Sequence, residues 1–185
     1  MGKSVLAAQA KSLGIPVHDA DAVVHALMQP NGAAFDAVAD HFPEVIVDGM
    51  IDRKALGKIV FHDVDKRHVL EGIIHPLVRQ SSAFFVAQCR KHRHPFCILD
   101  IPLLFETGRD ADMDYILCVS APKFVQKRRV LSRPNMTEEK YNAIVKMQIP
   151  DYRKRAHSDR VILTARGKRH TLNALKKLKT DNRVT

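Results

Sequence analysis

Short apolar runs alternate with longer helical patterns along the chain. Continuous apolar runs open the segment 96–101 and fill residues 115–119 and 161–163, as is typical of strands buried on both faces of a parallel sheet. Between the last two runs lies a charged stretch, residues 123–147, whose helical pattern is interrupted at Pro134-Asn135. Strands that alternate with helices predict an α/β fold.

The first thirty residues follow the same alternation. Residues 4–13 have helix-forming composition with an apolar face, and Gly14 follows, a residue common just past helix ends. A short apolar run then ends at Asp19, and a second helix is predicted over residues 22–28.

The middle of the chain is predicted to be mostly helical. Residues 45–47 indicate a strand with a turn, and Asp52 suits the N-cap of the next helix. The helical pattern continues to Arg93, and Pro76 fits the first position of a helix, where its missing N–H has no partner to lose.

Length and composition indicate one compact domain. The 185 residues are 45% hydrophobic, enough for a substantial core. The three cysteines are odd in number and lack metal-type spacing, so we expect reduced thiols and a cytoplasmic protein. No apolar run reaches membrane-spanning length and no signal-peptide pattern is present in the printed sequence, so no membrane partner is expected.

The net charge of +10 calls for an anionic partner. Nucleic acid is one candidate, but the basic residues are spread along the chain without interleaved aromatic residues. The alternatives are a solvated basic surface and a subset of basic residues that binds small polyphosphates.

Gly2-Lys3-Ser4 matches the closing half of the phosphate-binding loop G-x-x-x-x-G-K-[ST]. In that loop backbone amides bind phosphates, the lysine reaches the β- and γ-phosphates, and the hydroxyl binds magnesium. The tripeptide is common by chance, so by itself it is weak evidence.

Asp19 and Asp21 are candidates for a general base. Two residues apart in an extended backbone, they would point to one side; the alternative is that one or both cap the helix that follows. His75 and Arg79 are candidates for anion binding near a helix start, although a lone histidine is more often structural.

Two further groups follow predicted strands. Asp100 and Glu106 come after a buried strand, where phosphate-loop enzymes often place a carboxylate near magnesium, although Glu106 also fits a capping or solvated role. The stretch from Gln126 through Arg129 to Arg133 would put guanidinium groups four residues apart on one helical face, as a phosphate-clamping lid requires; an exposed basic helix is the alternative.

Jointly, these motifs resemble the dephospho-CoA kinase family over nearly the whole chain. The motifs, in the family's order and spacing, are Gly2-Lys3-Ser4, Gly14–Asp21, His75–Arg79, Pro102–Glu106, Gln126–Arg129 with Arg133, and Gln148. The resemblance implies ATP-dependent phosphorylation of the ribose 3′-hydroxyl of dephospho-CoA, the last step of coenzyme A synthesis, with Mg²⁺.

The resemblance also implies a role for each site residue. ATP would be bound by Gly2, Lys3, Ser4, Arg129 and Arg133, with Ser4 as the magnesium ligand. The catalytic residues on the ATP side would be Lys3, as a phosphate ligand, and Arg129, which would neutralise charge on the transferring phosphoryl group with help from Arg133 of the lid. On the acceptor side, the resemblance makes Asp21 the base on the 3′-hydroxyl, and it places His75 and Arg79 in the region that binds dephospho-CoA.

The fold implied is a P-loop, nucleoside-monophosphate-kinase-like parallel sheet flanked by helices. One domain is expected, with a core at 1–47 and 94–185, a helical substrate region near 48–93 and a lid near 129–148. The sequence departs from the family at Thr164, where relatives often have asparagine. The family's first central strand and the opening glycine of the loop would precede residue 1, so we expect the printed chain to bind ATP weakly and to be inactive or poorly active.

Two other functions are alternatives to dephospho-CoA phosphorylation. A kinase for another small alcohol or nucleotide would keep the same class, but the Asp-Ala-Asp and His-Pro combination argues against it. A basic nucleic-acid-binding protein would show an affinity that falls steeply with salt and would tolerate substitution of Asp21.

Overall fold

The computed structural model describes residues 2–134 and 136–180. The described residues fall into two compact units, one from 2–17 and 94–180 and the other His18–Arg93. The predicted substrate region at 48–93 and the predicted lid at 129–148 are functional assignments, and they stay predictions.

Short strands are interspersed among helices along the chain, with several helices following one another directly. In chain order they are α1 (Lys3–Ser12), β1 (Val17–Asp19), α2 (Ala20–Leu27), α3 (Phe35–His41), β2 (Ile46–Val47), β3 (Met50–Ile51), α4 (Arg53–His62), α5 (Val64–Lys91), β4 (Ile98–Asp100), β5 (Leu117–Ser120), α6 (Lys123–Leu131), α7 (Glu138–Met147), α8 (Asp151–Ala156), β6 (Arg160–Leu163) and α9 (Lys168–Lys179).

Strands β5 and β6 of the first unit pair in parallel. In β5 and β6, Leu117 lies opposite Arg160 and Ser120 opposite Leu163. The N–H of Ile98, the first residue of β4, donates at 2.9 Å to the carbonyl of Pro16, which lies just before β1. The α/β prediction is confirmed.

Helices α1 and α9 cover the core of the first unit. Leu6 and Ala10 are one helical turn apart on α1, as are Leu175 and Thr171 on α9, so each helix buries one face. Ile162 of β6 packs in the same cluster and is 1% exposed.

The second unit is arranged around the 28-residue helix α5. Asp52 caps α4 as predicted, because its carboxylate accepts hydrogen bonds from the N–H groups of Lys54 and Ala55. The hairpin of β2 and β3 turns through Asp48 and Gly49, whose φ angles of 50° and 72° are those of a type I′ turn.

The prediction that Pro76 begins a helix is wrong, since Pro76 lies inside α5. A proline removes the hydrogen bond to the carbonyl four residues earlier and crowds that carbonyl. That carbonyl belongs to Gly72, where an added Cβ would meet nothing within 4 Å. The tertiary packing of α5, which buries Ile74 and Val78 on either side of Pro76, outweighs the local preference.

The prediction that Arg133 shares a helical face with Arg129 is also wrong. Helix α6 ends at Leu131, and Ser132 is its C-cap. Arg133 precedes Pro134, whose ring disfavours helical backbone in the residue before it.

Within residues 2–134 and 136–180, no helix is long and apolar enough to cross a membrane. All three cysteines lie in this part of the chain, and none forms a disulfide there.

Candidate active site

Helix α1 begins directly after Gly2, the N-cap residue. Gly2 has a φ of 102°, a left-handed backbone that glycine adopts without strain. A Cβ at this position would lie 2.9 Å from Cγ2 of Thr164, so the site also lacks space for a side chain. The N-terminus of a helix presents backbone N–H groups and a positive dipole end, which favour a bound anion.

Lys3, the first residue of α1, forms an ion pair with Asp100. Its Nζ lies 2.8 Å from Oδ1 of Asp100, and the two side chains are 30% and 8% exposed. Asp100 is the last residue of β4, so the strand brings a buried carboxylate to the start of α1. Ser4 is exposed on the first turn of α1.

Arg129, on α6, is bound to Thr164. Its Nη1 donates to Oγ1 of Thr164 at 3.0 Å, and its Nη2 donates to the Thr164 carbonyl at 3.2 Å. The Thr164 hydroxyl donates to the Ser120 carbonyl at 3.2 Å. The Ser120 hydroxyl in turn donates to Oδ2 of Asp151 at 2.8 Å, so these contacts connect α6, β5 and α8.

Glu106 has a role that the sequence did not reveal. Its Oε1 accepts from Nζ of Lys154 at 2.6 Å and from the Ile149 N–H at 3.0 Å. Burial raises the pKa of Glu106, but the hydrogen bonds from Lys154, its own backbone and Ile149 outweigh that effect, so the pKa is lowered. The partners lie more than forty residues away, and no local pattern marks such contacts.

Asp151 also acts on a neighbouring thiol. Burial raises the pKa of Cys118, and the negative charge of Asp151 raises it further. We therefore expect Cys118 to be protonated and unreactive at neutral pH.

In the second unit, the two aspartates of Asp-Ala-Asp differ in role. Helix α2 begins at Ala20, and the Asp19 carboxylate accepts from the Ala22 N–H at 3.1 Å, so Asp19 is the N-cap. Asp21 lies in the first helical turn and is exposed. The expectation that both carboxylates point to one side of an extended strand is wrong, because the helix starts between them.

His75 and Arg79 lie on α5, four residues apart and on one face of that helix. His75 is half-buried and Arg79 is exposed. Another histidine, His18, is 6% exposed, contacts Oγ of Ser81 through Nε2 at 3.1 Å and packs against the ring of Phe85.

The remaining predicted lid residues lie near helix ends. Arg133 is exposed and follows the end of α6, and Gln148 is the C-cap of α7. Lys127 of α6 forms an ion pair with Glu138 of α7, which raises the pKa of Lys127 and connects the two helices.

A left-handed glycine, a lysine and a serine at the start of a helix, in an α/β unit with parallel strands, define a P-loop phosphotransferase. The chain belongs to the dephospho-CoA kinase family, because the sequence model of that family, described as "Dephospho-CoA kinase", matches residues 1–168.

Individual relatives support this assignment. A dephospho-CoA kinase of Paramagnetospirillum magneticum (strain ATCC 700264 / AMB-1) is 50% identical over 84% of this chain and 73% of its own length. A dephospho-CoA kinase of Rhodospirillum rubrum is 48% identical over 95% of this chain and 84% of its own length.

Solved structures share the fold. TT1252 from Thermus thermophilus superposes with a TM-score of 0.83 at 33% identity, over 97% of this chain and 91% of that protein. A dephospho-CoA kinase from Campylobacter jejuni superposes with a TM-score of 0.70 at 24% identity, over 97% and 92% of the chains, which supports the fold alone.

Proposed function

We propose that this protein transfers the γ-phosphoryl group of ATP to the ribose 3′-hydroxyl of dephospho-CoA, which gives coenzyme A and ADP. Membership of the family supports the reaction. The observation on this chain that supports the proposal is the start of α1, where a left-handed Gly2 precedes the helix and Lys3 pairs with Asp100. The match does not favour another acceptor or nucleic acid.

In the proposed reaction, the first unit binds ATP. Backbone N–H groups at the start of α1 bind phosphate oxygens, and Lys3 exchanges its contact with Asp100 for the β- and γ-phosphates. Arg129 stabilises the charge on the transferring phosphoryl group, and Arg133 assists it. Such preorganised cations contribute most where charge develops in the transition state.

Magnesium fits the oxygen donors near the start of α1. Ser4 offers an exposed hydroxyl, and Asp100 offers a carboxylate whose neighbour Lys3 can move to phosphate. Both are hard oxygen ligands of the kind that Mg²⁺ takes. Bound with ATP, the ion would neutralise charge between the phosphates.

The second unit supplies the acceptor side of the proposal. Asp21 takes the proton of the 3′-hydroxyl, for which its exposed position on the first turn of α2 leaves it accessible. His75 and Arg79 help to hold dephospho-CoA through its anionic groups. The cytoplasmic location expected from the sequence stays a prediction.

The test is a reaction of the purified full-length protein with ATP, Mg²⁺ and dephospho-CoA, followed by chromatography. We expect ADP and coenzyme A in equal amounts. Phosphorylation of a different alcohol, with dephospho-CoA left unchanged, would overturn the substrate assignment and keep the kinase class.

A further inference from the structure

Thr164 presents a fixed acceptor to Arg129. A threonine hydroxyl has one proton and two lone pairs, and here the proton is donated to the Ser120 carbonyl at 3.2 Å. The lone pairs are therefore directed to other groups, and Nη1 of Arg129 donates to one of them at 3.0 Å. Since Thr164 is only 6% exposed, this hydroxyl has little freedom to turn toward water.

The carbonyl of the same residue binds the other end of the guanidinium. Nη2 of Arg129 donates to the Thr164 carbonyl at 3.2 Å, so both terminal nitrogens contact one residue. A planar guanidinium held at two points has a fixed plane as well as a fixed position. An arginine on a helix surface otherwise has many rotamers, which it must give up when it binds a ligand.

Thr164 also lies against the phosphate loop. Its Cγ2 occupies the space that a side chain on Gly2 would need. One threonine side chain therefore separates the guanidinium from the backbone at the start of α1, inside the first unit. Arginine has five N–H donors, and two of them are directed to Thr164, so the same guanidinium can donate to a phosphate without leaving the threonine.

We propose that Thr164 is a positioning residue that holds Arg129 beside the phosphate loop in the orientation that phosphoryl transfer requires. The inference rests on the proposed role of Arg129 in that transfer. It assigns Thr164 no contact with substrate. The hydroxyl acts through the arginine, and the methyl group only fills space beside Gly2.

The test is a double-mutant cycle on the full-length protein, with kcat and KM measured for ATP and dephospho-CoA. Thr164→Val keeps the shape and removes the hydroxyl. We expect it to lower kcat about tenfold, the loss of one hydrogen bond to a charged group, and to change the KM for ATP less than about threefold. Thr164→Ser keeps the hydroxyl, so its kcat should stay within about twofold of the wild-type value.

The decisive comparison is made in the Arg129→Ala background. If Thr164 acts through Arg129, Thr164→Val added to Arg129→Ala changes kcat by less than about twofold. If it lowers kcat as much there as in the wild type, Thr164 has an independent structural role and the proposal is wrong. Should Thr164→Val not fold, Thr164→Ala serves in the same cycle, because a smaller side chain still leaves room for Gly2.

Thr171 offers a matched control in the same unit. It is 2% exposed, and its hydroxyl donates to the Gly167 carbonyl at 3.4 Å near the start of α9. Thr171→Val should leave kcat unchanged, and an equal loss in both variants would contradict a specific role for Thr164. A wild-type protein without dephospho-CoA kinase activity would refute the proposed function instead, so the two failures are distinguishable.

Discussion

Nζ of Lys3 lies 2.8 Å from Oδ1 of Asp100, a carboxylate that is 8% exposed. The proposed phosphate-binding cation is thus paired with a carboxylate of its own unit. Under the proposed function, ATP would replace this carboxylate with phosphate as the anionic partner of Lys3, and the pair would hold the amine near the start of α1.

The pair allows the structural and chemical roles of Lys3 to be separated. Lys3→Met should lower stability by about 1–3 kcal/mol, because it leaves a buried carboxylate without its cation; the partial exposure of Lys3 keeps the cost below that of a fully buried pair. Adding Asp100→Asn should recover most of the stability but neither ATP affinity nor turnover. Thermal melting measures the stability of the variants, calorimetric ATP titration measures their ATP affinity, and steady-state kinetics measures their turnover. Recovery of ATP affinity in the double variant would mean that Lys3 does not bind phosphate.

Gly2→Ala should weaken ATP binding and lower stability. Alanine at a φ of 102° is strained, by about 1–3 kcal/mol, and its Cβ would lie 2.9 Å from Thr164. Gly57→Ala is the control, since Gly57 lies inside α4 with nothing within 4 Å of an added Cβ, and it should stabilise by about 0.5–1 kcal/mol. An unchanged melting temperature for Gly2→Ala would contradict the conformation described for Gly2.

Asp21→Asn should lower turnover by about 10²–10⁴-fold while ATP affinity stays near that of the wild type, the effect of losing a general base. Asp19→Asn is the matched control two residues away, because asparagine caps helices as well as aspartate. Both are measured as kcat at saturating substrates together with the melting temperature. If Asp21→Asn only lowers the melting temperature, Asp21 has a structural role in α2 and is not the base.

Arg129→Ala should lower kcat with little change in the melting temperature, since the guanidinium is proposed to act mainly on the transferring phosphoryl group. Arg129→Lys should rescue poorly, because an ammonium cannot donate to Oγ1 and the carbonyl of Thr164 in the same planar arrangement. Steady-state kinetics with both substrates tests this. Full activity of Arg129→Ala would remove the residue from the mechanism.

Glu106 should make stability depend on pH on the acid side. Its pKa is lowered in the folded protein, so its contribution is present above the ordinary glutamate pKa and is lost as the pH falls through the lower folded value. Glu106→Gln should therefore melt at a lower temperature than the wild type at neutral pH, and the difference should shrink as the pH falls below the ordinary glutamate pKa.

Glu44 provides the comparison for that experiment. The pKa of Glu44 is lowered too, by its own backbone hydrogen bond and by Lys66, but the pair is exposed and contributes little. Glu44→Gln should leave the melting curve nearly unchanged at all pH values. Equal effects of the two substitutions would mean that the Glu106 contacts with Lys154 and Ile149 do not stabilise the unit.

Features that depend on neighbouring residues could be predicted from the sequence. Gly14 ends α1, Asp52 caps α4, and the break near Pro134 separates α6 from α7, because glycine, aspartate and proline act on the backbone next to them. Gly2-Lys3-Ser4 likewise predicts the helix start at which the structure places it.

Features that depend on residues far apart in the chain could not be predicted from the sequence. Glu106 with Ile149 and Arg129 with Thr164 are contacts across 43 and 35 residues, which no spacing rule reveals. The sequence predicts that Pro76 begins a helix, but the packing of α5 outweighs that local preference. It also predicts that Arg133 lies on the same helical face as Arg129, but α6 ends before Arg133, which precedes a proline.

The proline inside α5 also has a consequence for how that helix opens. Pro76 has no amide hydrogen, so the Gly72 carbonyl lacks its usual helical donor, and glycine itself lowers helix stability by about 1 kcal/mol. Opening fluctuations of a helix ordinarily start at its ends. In α5 we expect a third starting point in the middle, where His75 and Arg79 lie, so that the region proposed to hold the acceptor would loosen without unravelling either end of the helix.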